Sequence, residues 1–146
     1  MRVLSAVLFS LVLAASLHAA TDLVTAADIE KATGLTGVHK VAKDPAKGAG
    51  GELNFAGKDE KLVAIVMISP SMFDFWKKKY APKCESVSGI GDEAYRTKRS
   101  ATTQYLFFRK GANAVWIQSM GWTKDYAPVP DAAQLTTLAK VAASRM

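Results

Sequence analysis

The chain opens with an apolar run from Val3 to Leu17 and then alternates between helical and strand patterning. Thr25 to Thr33 reads as a short helix. Thr25 is spaced as an N-cap with Asp28 completing a capping box, and Val24 and Ile29 stand where a hydrophobic staple joins them. Gly34 is placed to end that helix in a left-handed conformation. Val38 and Val41 mark a short strand, and the segment from Lys43 to Gly51 reads as a loop. Leu53 and Phe55 alternate with polar neighbours as in a half-buried strand. Leu62 to Ile68 is a continuous apolar run rich in Val and Ile, the pattern of a strand buried on both faces. With the polar turn between them, these two form a hairpin.

Ser69-Pro70 combines an N-cap with proline at the first helical position. Phe73, Trp76 and Tyr80 then recur at helical spacing, flanked by Met72, until Pro82 stops the helix. After the loop Ser86 to Asp92, three strands are expected at about Glu93 to Thr97, Thr102 to Arg109 and Ala114 to Met120. Tyr105, Phe107, Val115 and Ile117 supply their aromatic and β-branched content. The last two are joined by Lys110-Gly111-Ala112-Asn113, a hairpin loop with glycine where a positive φ is needed. Asp131 and Gln134 form a second capping box, ahead of a helix with the stripe Leu135, Leu138, Val141 and Ala142. The order predicts an α+β domain: a mainly antiparallel sheet of about five strands with three helices packed on it.

Composition changes this picture at the N-terminus. Met1-Arg2, the fifteen-residue, mostly apolar run and then His18-Ala19-Ala20 have the order of a secretory signal peptide. The run is shorter than the roughly 20 residues a membrane-spanning helix needs. The expectation is therefore a signal peptide over 1–20, cleaved near Ala19 or Ala20, and a single periplasmic or secreted domain over 21–146. The chain's nineteen Lys and Arg against thirteen Asp and Glu give a net charge of +6, and losing Arg2 lowers that by one. A basic domain of this kind meets anionic surfaces or polymers. No run of like charge is long enough to be an interaction tail, and no specific nucleic-acid motif is present.

The second half (GIGDEAY, FRKGANAVWI and the terminal AAQLTTLAKVAASRM), together with the N-terminal TAADI helix, resembles a group of small exported bacterial proteins, some of which resemble the PsbP-like superfamily in fold. The resemblance implies an antiparallel sheet covered by helices and an exported address. Many such proteins carry a lipid-attached cysteine after the signal; this chain has none there. No catalytic residue carries over from the resemblance.

Candidate chemistry is sparse. Gly89-Ile90-Gly91 lacks the preceding strand, third glycine and following helix of a dinucleotide loop, and Asp92-Glu93 would repel phosphate; a glycine-dependent turn is expected instead. After the signal, His39 is the one histidine and Cys84 the one cysteine, too few for the usual zinc site. Cys84 is expected to be buried. Its four neighbouring lysines could lower its pKa for a nucleophilic pair with His39, but no third group is indicated to orient them. No cofactor and no enzymatic activity are expected.

The densest constellation is basic and aromatic. Lys77, Lys78, Lys79 and Lys83 accompany Trp76 and Tyr80. If the second helix lies beside the later strands, Arg96, Arg99 and Arg109 join them in an anion-binding face. The sequence therefore predicts a non-enzymatic binding protein whose partner is another envelope protein or an anionic envelope polymer. The alternative is a small-ligand carrier whose apolar pocket, between sheet and helix, is lined by Phe73, Trp76, Phe107 and Trp116.

Overall fold

A computed structural model of the chain describes residues 23–41, 52–58, 61–98, 104–123 and 128–146. The segment read as a signal peptide, the loop from Lys43 and the position of Arg99 lie outside these residues. Within them the fold is α+β. Helix α1 (Ala26–Thr33) is followed by β1 (His39–Lys40), β2 (Glu52–Ala56), β3 (Lys61–Ile68) and α2 (Pro70–Tyr80). A 3-10 turn at Ala81–Lys83 leads into β4 (Cys84–Ser86), then β5 (Glu93–Thr97), β6 (Tyr105–Lys110) and β7 (Asn113–Ser119). Two short strands, β8 (Gly121–Trp122) and β9 (Pro128–Val129), precede α3 (Ala132–Ser144).

The main sheet is antiparallel throughout, in the order β1-β2-β3-β7-β6-β5-β4, and β8 pairs with β9 alone. It has seven strands rather than about five. The two additional members are its edges, β1 and β4, of two and three residues. Strands this short are below the length at which period-two alternation shows itself. Val38 and Val41 pointed to the first, and Val41 N–H does extend its pairing by donating to the Asn54 carbonyl at 2.8 Å. Cys84-Glu85-Ser86 lies between Pro82 and the loop that begins at Ser86, with no alternation of its own to mark a strand.

The capping signals in the sequence are met one by one. Thr25 and Asp28 form the full capping box of α1, and Gly34 ends it at φ 74°. Ser69 caps α2 by accepting from Met72 N–H at 3.1 Å. Asp131 and Gln134 cap α3 reciprocally at 2.8 Å. Each cap satisfies helix donors that would otherwise lack a partner. One stripe position differs: Ala139 and Ala143 are buried on α3 alongside Leu135, Leu138 and Ala142, while Val141 is half-buried.

Strand alternation divides the interior in two. Leu106, Phe108, Val115, Ile117, Val63, Ile65 and Ala94 point to one face, where Ile29 and the buried stripe of α3 cover them. Phe107, Trp116, Ala114, Val66 and Ile68 belong to the other face, where Phe73 of α2 seals the centre. β3 is enclosed only in its first half. Leu62 to Ile65 are buried, and Val66 to Ile68 are half-buried. Among the described residues, no helix is long and apolar enough to cross a membrane.

Candidate functional site

The α2 face of the sheet collects the aromatic residues. Phe73, Trp76 and Tyr80 descend from the helix at spacings of three and four, and Tyr95, Tyr105, Phe107 and Trp116 rise from alternate positions of β5, β6 and β7. Cross-strand registers place Phe107 opposite both Tyr95 and Trp116. The rings meet in edge and stacked arrangements. Trp76 and Trp116 centroids are 4.0 Å apart, Tyr105 and Trp116 4.5 Å, Phe107 and Trp116 5.5 Å, and Phe73 and Phe107 5.6 Å. Such pairs add to simple area burial because ring edges and faces carry opposite partial charge. The four residues named for a pocket are thus brought together in one cluster, in mutual contact.

Cys84 sits at the rim of this cluster and is buried, its thiol 3.8 Å from the Tyr105 hydroxyl. Burial pushes the thiol pKa up and outweighs the Tyr105 hydrogen bond, which pulls the other way. The lysines near it in sequence therefore do not make it a thiolate. Burial also raises the Tyr105 phenol. His39 is exposed on β1, at the edge of the sheet opposite β4. Six inter-strand steps put it on the order of 30 Å from Cys84, so the two cannot act as a pair. Among the described residues, no three His, Cys, Asp or Glu side chains come together as a metal site would require.

The Gly89-Ile90-Gly91 loop has the turn role expected of it. Gly91, at φ 55°, lies so close to β6 that a Cβ there would stand 2.3 Å from the Arg109 carbonyl oxygen. Asp92 N–H donates to that same oxygen at 2.8 Å, and the Asp92 carboxylate accepts from Gly111 N–H at 2.7 Å. The loop therefore clasps the β6–β7 hairpin, and Ile90 is buried in the aliphatic core.

The predicted basic face is only partly assembled. Lys77 pairs with Glu93, which also accepts from the Tyr95 hydroxyl at 2.5 Å and from Arg109 at 3.3 Å. Lys77 chiefly holds the Glu93 carboxyl below its ordinary value, and Glu93 in turn raises Lys77. Arg109 also lies 3.6 Å from Asp74 and 5.2 Å from the centre of the Phe73 ring. These groups make a neutralised flank of α2 on its β5 side. Arg96 belongs to the opposite face. It donates to the Ala132 carbonyl at 3.2 Å and to the Thr136 hydroxyl at 2.8 Å on α3, and pairs with Glu85. Alternation along β5 sends it there, because Tyr95 takes the α2 side.

Lys78, Lys79 and Lys83 remain. All three are exposed, and none has an acidic partner among the described residues. Beside them lie two side chains that sequence reasoning had not assigned outward: Phe75, 55% exposed, and Met72, 43% exposed. The helical wheel carried that signal for Phe75, which with Lys78 falls opposite the Phe73–Tyr80 stripe, while Met72 and Lys79 border it. No family model matches this chain, and no curated protein or solved structure matches it either, so the outer face of α2 stands on its own geometry as the candidate site.

Proposed function

We propose that the protein is an exported, non-enzymatic binding module that engages an anionic envelope partner through the outer face of α2. The address is read from residues 1–20 and from the resemblance to small exported bacterial proteins. The observation that carries the binding reading is the sorting of the cations. Lys77, Arg96 and Arg109 are spent on Glu93, Glu85 and Asp74, whereas Lys78, Lys79 and Lys83 face solvent together. The separation of His39 from Cys84 supports binding over nucleophilic catalysis. The carrier reading would seat a ligand among Phe73, Trp76, Phe107 and Trp116, whose rings already contact one another; this favours the surface over a pocket.

The test is retention on heparin as salt rises. Changing Lys78, Lys79 and Lys83 to Gln should lower the eluting salt. Changing Lys31, Lys40 and Lys140 to Gln removes the same charge from exposed positions on α1, β1 and α3. If both triple variants elute alike, retention reflects net charge and the site reading fails.

A further inference from the structure

We propose that the outer face of α2 docks on the surface of an anionic lipid bilayer; this deepens the anionic-partner reading and rests on it. Three observations on one helix carry it. The first is apolar exposure on the helix. Phe75 and Met72 are three residues apart and therefore adjacent on the helix surface, and both project to water. Single exposed apolar residues are ordinary on a soluble protein. Here two neighbours are exposed together and bordered by cations.

The second is the arrangement of those cations. Lys78 and Lys79 follow Phe75 at three and four residues, and exposed Lys83 ends the 3-10 turn that follows α2. The Lys79 ammonium lies 5.7 Å from the Phe75 ring centre and 5.1 Å from that of Tyr80. The ammonium thus stays beside the exposed apolar pair, held by two ring faces and with no carboxylate on it among the described residues. Asp74, the one acid on α2, lies on the β5 flank beside Arg109.

The third is rigidity. Ser69 caps the start of α2, and the Phe73, Trp76 and Tyr80 rings pin its inner face to the sheet. The outer residues are therefore presented without a folding step, which spares the ordering penalty that a disordered basic segment incurs.

The chemistry separates a bilayer from a soluble polyanion. A polysaccharide or nucleic acid offers charge, and it uses a ring by stacking on an open face; Lys79 already lies over the Phe75 ring. A bilayer interface offers phosphates at the level of the lysine heads and, about 5–10 Å deeper, an apolar boundary for Phe75 and Met72.

The experiment is sedimentation of the full chain with vesicles of phosphatidylglycerol and phosphatidylcholine in equal parts, and of phosphatidylcholine alone. Residues 1–20 are common to every variant, so ratios between variants isolate α2. Circular dichroism confirms that each variant is folded. Removing a lysine should weaken partition to the anionic vesicles by about fivefold, so that Lys78→Gln with Lys79→Gln falls by more than tenfold. Phe75→Ser should weaken it by about tenfold through the lost apolar contact, and should leave heparin retention unchanged. Unaltered vesicle partition in Phe75→Ser, with heparin retention lowered by the lysine changes, would overturn the bilayer assignment and leave the anionic-partner reading standing. No effect of the lysine changes on either support would remove both. Equal lysine effects on the two vesicle types would also overturn it, because the headgroup charge would then be irrelevant.

Discussion

The two faces of the sheet are built from different materials. One is mainly aliphatic, with Phe55 and Phe108 its only buried rings among the described residues: Ile65, Leu106, Val115 and Ile117 of the sheet are fully enclosed against Leu135 and Leu138 of α3. The other is aromatic and is covered by α2, with Trp76, Tyr80, Tyr95 and Tyr105 only half-buried around Phe73 and Phe107. The first face has little left to offer a partner. It is closed further by the Arg145 guanidinium, which joins the C-terminal end of the chain to Asp28 of α1 and to the Leu23 carbonyl. The second keeps polarisable rings and cations at its rim. Under the proposed function the contrast is a division of labour, in which aliphatic packing fixes the fold and the aromatic side carries the binding helix.

The largest effect should come from charging the aliphatic face. Ile65→Asp places an unpaired carboxylate at a fully buried position in the middle of β3, at a cost of several kcal/mol. Loss of the far-ultraviolet signal of the folded state is the expected result, and a cooperative transition like that of the parent chain would mean β3 faces otherwise.

Removing bulk from each side should sharpen the comparison. Leu138→Ala on α3 should destabilise by about 2–5 kcal/mol, as for a fully enclosed leucine. Trp76→Ala removes a larger side chain from a half-buried site, and should lose about half of the 3–5 kcal/mol typical of an enclosed ring. Denaturant midpoints compare the two. A greater loss at Trp76 would place the main core on the aromatic side.

Acid should loosen the aliphatic side through a smaller effect. The Arg145 hydrogen bond holds the Asp28 carboxyl down from 3.8 to about 2. A carboxyl lowered by folding contributes stability above its unfolded pKa and loses it as pH falls through the folded one. The contribution should therefore be complete above about pH 4 and fade toward pH 2. With Arg145 partly exposed to water, it amounts to about 1 kcal/mol or less. Asp28→Asn should flatten the slope of stability against pH in that window, read from urea midpoints. Glu93, lowered chiefly by Lys77, works in the same direction and leaves a residual slope. An unchanged slope in the variant would show that the clasp is energetically silent.

The local elements were legible because their signals are local. Capping boxes at Thr25 and Asp131, the Ser69-Pro70 start and the Gly111 hairpin each act within four residues. What escaped depends on partners remote in sequence. β4 exists as a strand because it pairs with β5, and its three residues carry no periodic pattern of their own. The basic face was legible as a list of residue types, but not as a surface. Which lysine finds Glu93 is decided by the distance from α2 to β5, and Arg96 is removed from the group by strand parity. Phe75 is the reverse case: its aromatic character suggests core, while its place on the wheel sends it to water.

The most direct test of this division measures stability and binding on the same two variants. Leu138→Ala should lower the thermal midpoint by about 10 °C or more for a domain of this size, while the folded protein partitions to anionic vesicles as before. Phe75→Ser should leave the midpoint within a few degrees and lower the partition about tenfold. If the two properties instead fall together in both variants, the faces do not divide the work, and α2 is a structural cover and nothing more.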